Sequence, residues 1–128
     1  MKKRFFLKSA LVSGLFLPSL LLNLSFAQEG KESKVRRTGS TGSIKLLDLR
    51  AVERNGLLTV QATFQNDSMS GSPINYRFKW LDDAKMRATS NDESWKPMNL
   101  FAGQTVDIVG VAPTPMATDF IIELNGSN

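Results

Sequence analysis

Two adjacent acidic pairs, Asp82-Asp83 and Asp92-Glu93, are the residues whose type and spacing come nearest to catalysis in this chain of 128 residues. Two carboxylates suffice for glycoside hydrolysis when held roughly 5–10 Å apart across a sugar ring. Both pairs stand in turn-forming sequence, where neighbouring side chains point apart into water, so neither is expected to form a dyad. The chain has no histidine and no cysteine. That removes the commonest general base and the commonest metal ligand. Neither a Ser-His-Asp nor a Cys-His nucleophile system can be assembled, and most zinc and copper sites lose their ligands. Met69, Met86, Met98 and Met116 carry thioether sulfur of the kind that selects Cu(I). They fall in four separate segments, which points to packing and loop use. This inventory describes a protein without catalytic apparatus, metal or cofactor.

Binding is the chemistry that remains. Trp95, followed by Lys96-Pro97 and preceded by Asp92-Glu93, stands where a loop enters a strand. A large rigid aromatic there can anchor a protein partner, stack on a sugar ring together with Tyr76, or simply cover the core. Pro113-Thr114-Pro115-Met116 is a stiff bend. It either presents a shaped surface to a partner or carries the chain across the end of the fold. The leading expectation is an adaptor that engages another envelope protein; the alternative is a module for peptidoglycan or another polysaccharide.

The envelope enters through the N-terminus. Lys2, Lys3, Arg4 and Lys8 precede an apolar run from Ala10 to Phe26, with no acid before Glu29. This is the build of a secretory leader, and Ser25-Phe26-Ala27 offers cleavage after Ala27. An uncleaved anchor is the rival, but Pro18 and Asn23 interrupt the run. The four leader cations account for the whole net charge of +4, leaving twelve cations and twelve acids from Gln28 onward. A neutral mature chain gives no reason to expect nucleic acid as a partner. With no cysteine after the cleavage site, no lipid anchor is expected, so the processed protein should reside in the periplasm. Residues 28–43, QEGKESKVRRTGSTGS, carry one aliphatic residue, Val35, and read as a flexible linker or a weak basic arm for anionic surfaces.

From Ile44 the texture changes to short alternating runs. Asn55-Gly56 is a strong hairpin signal, because both residues tolerate the positive φ of a type I′ turn. It predicts strands over Ile44–Glu53 and Leu57–Gln65, with Ala51 facing Val60, Leu49 facing Ala62 and Leu47 facing Phe64. Ile74, Tyr76, Phe78 and Trp80 then alternate with polar residues, predicting a third strand with an aromatic inner face. Met86–Thr89 is expected as a short return strand. Trp95–Phe101 is expected at a sheet edge because Pro97 has no amide hydrogen. Thr105–Val111 and Asp119–Leu124 complete about seven strands over residues 44–128, an all-β immunoglobulin-like sandwich.

The strings LLDLRAVERNGLLTVQATFQN, YRFKWLDDAKM and ESWKPMNLFAGQTVDIVGVAPTPMATDFIIELN resemble the YcfL-like family of small Gram-negative envelope proteins, from Ile44 to Asn125. YRFKWLD, SWKP and GVAPTPMATDF carry the resemblance most specifically. It implies an immunoglobulin-like sandwich in the envelope and supplies no catalytic residues. Typical members are lipoproteins of undefined function, whereas this chain lacks the lipid-accepting cysteine.

Overall fold

The computed structural model describes residues 23–25 and 28–127. The body of the expected leader and its cleavage position at Ala27 lie outside the described residues. In chain order the elements are β1 (Asn23–Ser25), α1 (Gln28–Glu32), β2 (Val35–Thr38), β3 (Ile44–Arg54), β4 (Leu57–Asn66), β5 (Ser72–Leu81), β6 (Lys96–Leu100), β7 (Thr105–Val111) and β8 (Asp119–Gly126). They form two four-stranded sheets, ordered β1-β3-β4-β7 (sheet I) and β2-β8-β5-β6 (sheet II). The expected all-β sandwich is therefore the fold, two sheets face to face with the strand orders just given.

The β3–β4 hairpin forms at Asn55 (φ 53°) and Gly56 (φ 79°), with Arg54 opposite Leu57, Ala51 opposite Val60 and Leu49 opposite Ala62. The expected Leu47–Phe64 pair does not form. A bulge between Leu46 and Asp48 puts Leu46 opposite Phe64 and turns Leu47 outward, 45 % exposed. One extra residue on one strand inverts the facing of everything before it. Val60, Ala62 and Phe64 from sheet I meet Ile74, Phe78, Trp80, Ile122 and Leu124 from sheet II, all buried. At Gly110 on β7 the sheets approach closely: a Cβ there would lie 2.5 Å from the Phe78 ring. Pro97 lies on β6, an edge strand, opposite Asn75. Met86–Thr89 is not a strand; a single bridge joins Leu81 to Arg87.

The segment 28–43 is part of the domain instead of a linker. Strand β2 runs parallel to β8, from Val35 opposite Ile122 to Thr38 opposite Asn125. Polar contacts replace the missing apolar burial. Lys34 Nζ meets Asp119 Oδ1 at 2.6 Å, and Arg37 Nη1 donates to the carbonyls of Thr41 and Ile44 at 2.9 and 2.7 Å. Lys31, itself buried, donates Nζ to the Leu47 carbonyl at 2.8 Å, at the bulge.

Candidate functional site

Strand β6 pairs with β5 only from Ser72 to Tyr76, so the edge of β5 from Arg77 to Leu81 has no strand beside it. The connection Asp82–Trp95 fills that place with side chains. Asp82 Oδ1 accepts from the Ala84 and Met86 amides at 2.9 and 3.0 Å, shaping a turn in which Lys85 adopts φ 65°. The Ala88 amide donates to the Trp80 carbonyl at 2.9 Å. Glu93 then stands in for a strand carbonyl: Oε1 accepts the Phe78 amide and Oε2 the Trp80 indole Nε1–H, each at 3.1 Å. Arg87 closes the loop on Asp92 at 3.3 Å and on the Ser90 carbonyl at 2.8 Å. Between this loop and the end of β7 lies a cleft of about 340 Å³, bordered by Trp80, Arg87, Asp92, Glu93, Val111 and Pro113.

Two residues beyond Glu93, the chain reaches the outer face of sheet II, where one row of side chains crosses β2, β8 and β5 and ends on Trp95, the residue before β6. Arg36 Nη1 meets Glu123 Oε2 at 3.2 Å, Glu123 Oε1 meets Arg77 Nε at 2.7 Å, and the Arg77 guanidinium lies 4.2 Å from the centre of the Trp95 ring. Cation–π contact and a bridging carboxylate hold the indole in place, while 39 % of Trp95 remains open to solvent.

The expected site residues separate into two groups. Trp95, Lys96 and Pro97 lie together at the start of β6, with Lys96 opposite Tyr76. Tyr76 does not join Trp95 in an aromatic platform, because side chains alternate across a strand. Its ring packs against the core, edge-on to Phe78 at 6.2 Å. Pro113, Thr114, Pro115 and Met116 lie at the end of the sandwich. There the Ala117 amide donates to the Thr114 carbonyl at 3.2 Å, and Met116 stands 64 % exposed. Pro113 borders the cleft opposite Glu93, whereas Pro115 and Met116 face a shallower hollow with Asp82, Asp83 and Ala84.

Sequence reasoning singled out neither Arg77 nor Glu123, and it treated Glu93 only as half of an acidic pair. Arg77 was within reach, since it occupies the outward position of an alternating strand; Glu93 and Glu123 depend on partners that only the fold supplies. Asp119 is a further junction. Burial would raise its carboxyl pKa, but hydrogen bonds from Lys34 and Lys85 outweigh that and hold it below the ordinary range, while Asp119 in turn raises Lys85. Among the described residues no group of three or more His, Cys, Asp or Glu can hold a metal ion.

No functionally curated protein matches the chain. Two solved structures share the fold. The Campylobacter jejuni protein cj0090 aligns with a TM-score of 0.57 at 19 % identity over 73 % of this chain and 98 % of its own. A DUF1425 family member from Shewanella sp. pv-4 aligns with a TM-score of 0.58 at 18 % identity, over 63 % of this chain and 75 % of its own. The family signature described as "Protein of unknown function (DUF1425)" matches residues 32–126, so it takes in β2 through β8, and the chain belongs to that family.

Proposed function

We propose that this chain is a non-catalytic binding module of the Gram-negative envelope, of the YcfL-like kind, that engages another envelope protein through the outer face of sheet II around Trp95. It is exported by a leader cleaved after Ala27 and works in the periplasm without a lipid anchor. The observation that carries this reading is the row Arg36–Glu123–Arg77–Trp95. An aromatic pre-positioned by a guanidinium, with part of its surface still exposed, is the usual make-up of an interface hot spot. Little side-chain entropy is then lost on docking. The acids at the nearby cleft support a binding role over a catalytic one: Glu93 and Asp92 are each committed to a fixed partner in the loop.

Photo-crosslinking in intact cells tests the reading. A crosslinker at position 95 is expected to capture one discrete protein, and one at Gln61, exposed on sheet I, is not. Equal capture at both positions, or none at 95, overturns the proposal. With Tyr76 packed against the core, the glycan alternative lacks its second ring; sedimentation of the protein with purified sacculi would reinstate that alternative in place of the adaptor.

A further inference from the structure

We propose that removal of the leader uncovers the edge of β3, and that this edge pairs with the same edge of a second copy in an antiparallel β3–β3 dimer centred on Ala51. The inference rests on the reading that the leader is cleaved after Ala27. In the full chain, β1 lies antiparallel on β3, with Asn23 opposite Val52, Leu24 opposite Ala51 and Ser25 opposite Arg50. Cleavage after Ala27 takes β1 away. The buried hydrophobic cluster runs from Ile44 to Leu124, so cleavage leaves that cluster in the remaining domain.

The hairpin sets which backbone groups then face outward. In a two-residue hairpin the closing pair, Arg54–Leu57, exchanges both hydrogen bonds, and such pairs alternate along the ladder. Val52, Arg50 and Asp48 therefore bond to β4, while Glu53, Ala51 and Leu49 direct their N–H and C=O groups at the open edge. Lys31 agrees with this phase, since it reaches the Leu47 carbonyl from the edge side and closes the edge at that point. The stretch Leu49–Glu53 is left as a template for strand pairing.

Charge selects the occupant and the register. Cross-strand neighbours share a sheet face, so two symmetric copies centre on a residue, not between residues. Centring on Ala51 places Leu49 opposite the second copy's Glu53, forming three doubly bonded pairs. On the outer face it places Asp48 opposite the second copy's Arg54, twice by symmetry. Centring on Arg50 sets Arg50 against itself, and centring on Val52 sets Arg50 against Arg54. Like charges directly opposite are destabilising. Isologous closure of this kind leaves no open β3 edge for further growth.

Sedimentation equilibrium of the processed chain, residues 28–128, beside a form that keeps residues 23–27 tests the proposal. The processed chain is expected to dimerise and the longer form to stay monomeric. Arg54→Asp should weaken the dimer about tenfold, because two unlike pairs become like pairs, and Asp48→Arg combined with Arg54→Asp, which reverses the pair but gives up the 2.9 Å contact of Asp48 with Arg50, should recover part of that loss. Arg54 is an exposed hairpin residue, and circular dichroism confirms that each variant is folded. A monomeric processed chain, equal association of the two forms, or failure of the double swap to rescue overturns the dimer. Cleavage itself is read separately, from the N-terminus of envelope material: a chain still starting at Met1 refutes the leader reading while leaving the behaviour of the processed chain as measured.

Discussion

Replacing Glu93 tests whether a single carboxylate does the work of a missing strand. It accepts the Phe78 amide and the Trp80 indole at 3.1 Å each, with its side chain 24 % exposed. A hydrogen bond to a charged acceptor contributes about 1.5–3 kcal/mol, and partial exposure puts this pair near the lower end. Glu93→Gln preserves the shape but can accept only through one oxygen, so its NH2 group faces a donor; the expected loss is about 2 kcal/mol. Glu93→Ala loses both bonds and the loop that depends on them, about 3–4 kcal/mol. For a domain of this size, with an m-value of about 1.5 kcal/mol per molar urea, the Gln variant lowers the unfolding midpoint by about 1.3 M. In a Trp95→Phe background, the fluorescence of Trp80 follows the transition directly. Lys96→Met is the control: Lys96 Nζ is 3.7 Å from Glu93 and 52 % exposed, so its removal should cost under about 0.5 kcal/mol. A Gln midpoint within about 0.2 M of wild type would refute the strand-substitute role.

Gly110→Ala should destabilise by about 1–3 kcal/mol, read as a lowered melting temperature, because its Cβ lands 2.5 Å from the Phe78 ring and Phe78 is stacked on Trp80 at 5.2 Å. Asn66→Ala should cost about 2–4 kcal/mol by urea unfolding. Asn66 is fully buried, and its Nδ2 bonds the carbonyls of Ser70, Leu100 and Phe101, tying together the two loops at the end of the sandwich opposite the cleft. The depressed pKa of Asp119 means that the folded chain binds fewer protons than the unfolded one in acid. Its contribution is therefore complete above the unfolded value of about 3.9 and is lost as pH falls through the folded value. Asp119→Asn should flatten that acid limb in a stability–pH series, and an unchanged limb would refute the assignment.

The hairpin was legible because turn chemistry and period-two alternation agree over twenty residues, and the aromatic alternation of β5 placed Phe78 and Trp80 inward correctly. The facing of Leu47 differs because the apolar positions change phase, Ile44 and Leu46 against Leu49 and Ala51, and with Leu46 and Leu47 both apolar the sequence does not say which of them the bulge turns outward. Residues 28–43 were misread for a different reason. An entropy argument from composition counts apolar surface, but β2 is held by a parallel ladder and by Lys34 and Arg36 against Asp119 and Glu123, more than eighty positions away. The sequence could not separate Tyr76 from Trp95, because the face Trp95 takes follows from the register that sets Lys96 opposite Tyr76, and alternation within one strand does not supply a register.

Two stretches of strand edge, the lower half of β5 and the part of β3 beneath β1, are managed by different chemistry, and the difference bears on what each can bind. Along the lower half of β5, Glu93 takes the Phe78 amide and Ala88 supplies the Trp80 carbonyl, so that edge is occupied by the chain's own residues in every state of processing. A strand approaching there must displace a carboxylate and an indole hydrogen bond. Along β3, Lys31 closes the edge only at Leu47, and the cover over Arg50–Val52 is a three-residue segment on the far side of the expected cleavage position. Backbone groups at an uncovered edge carry no such cost to a partner strand. Of these two stretches, β3 is therefore the one open to strand addition once β1 is gone, and the contact surface proposed around Trp95 lies apart from it, on the outer face of the other sheet.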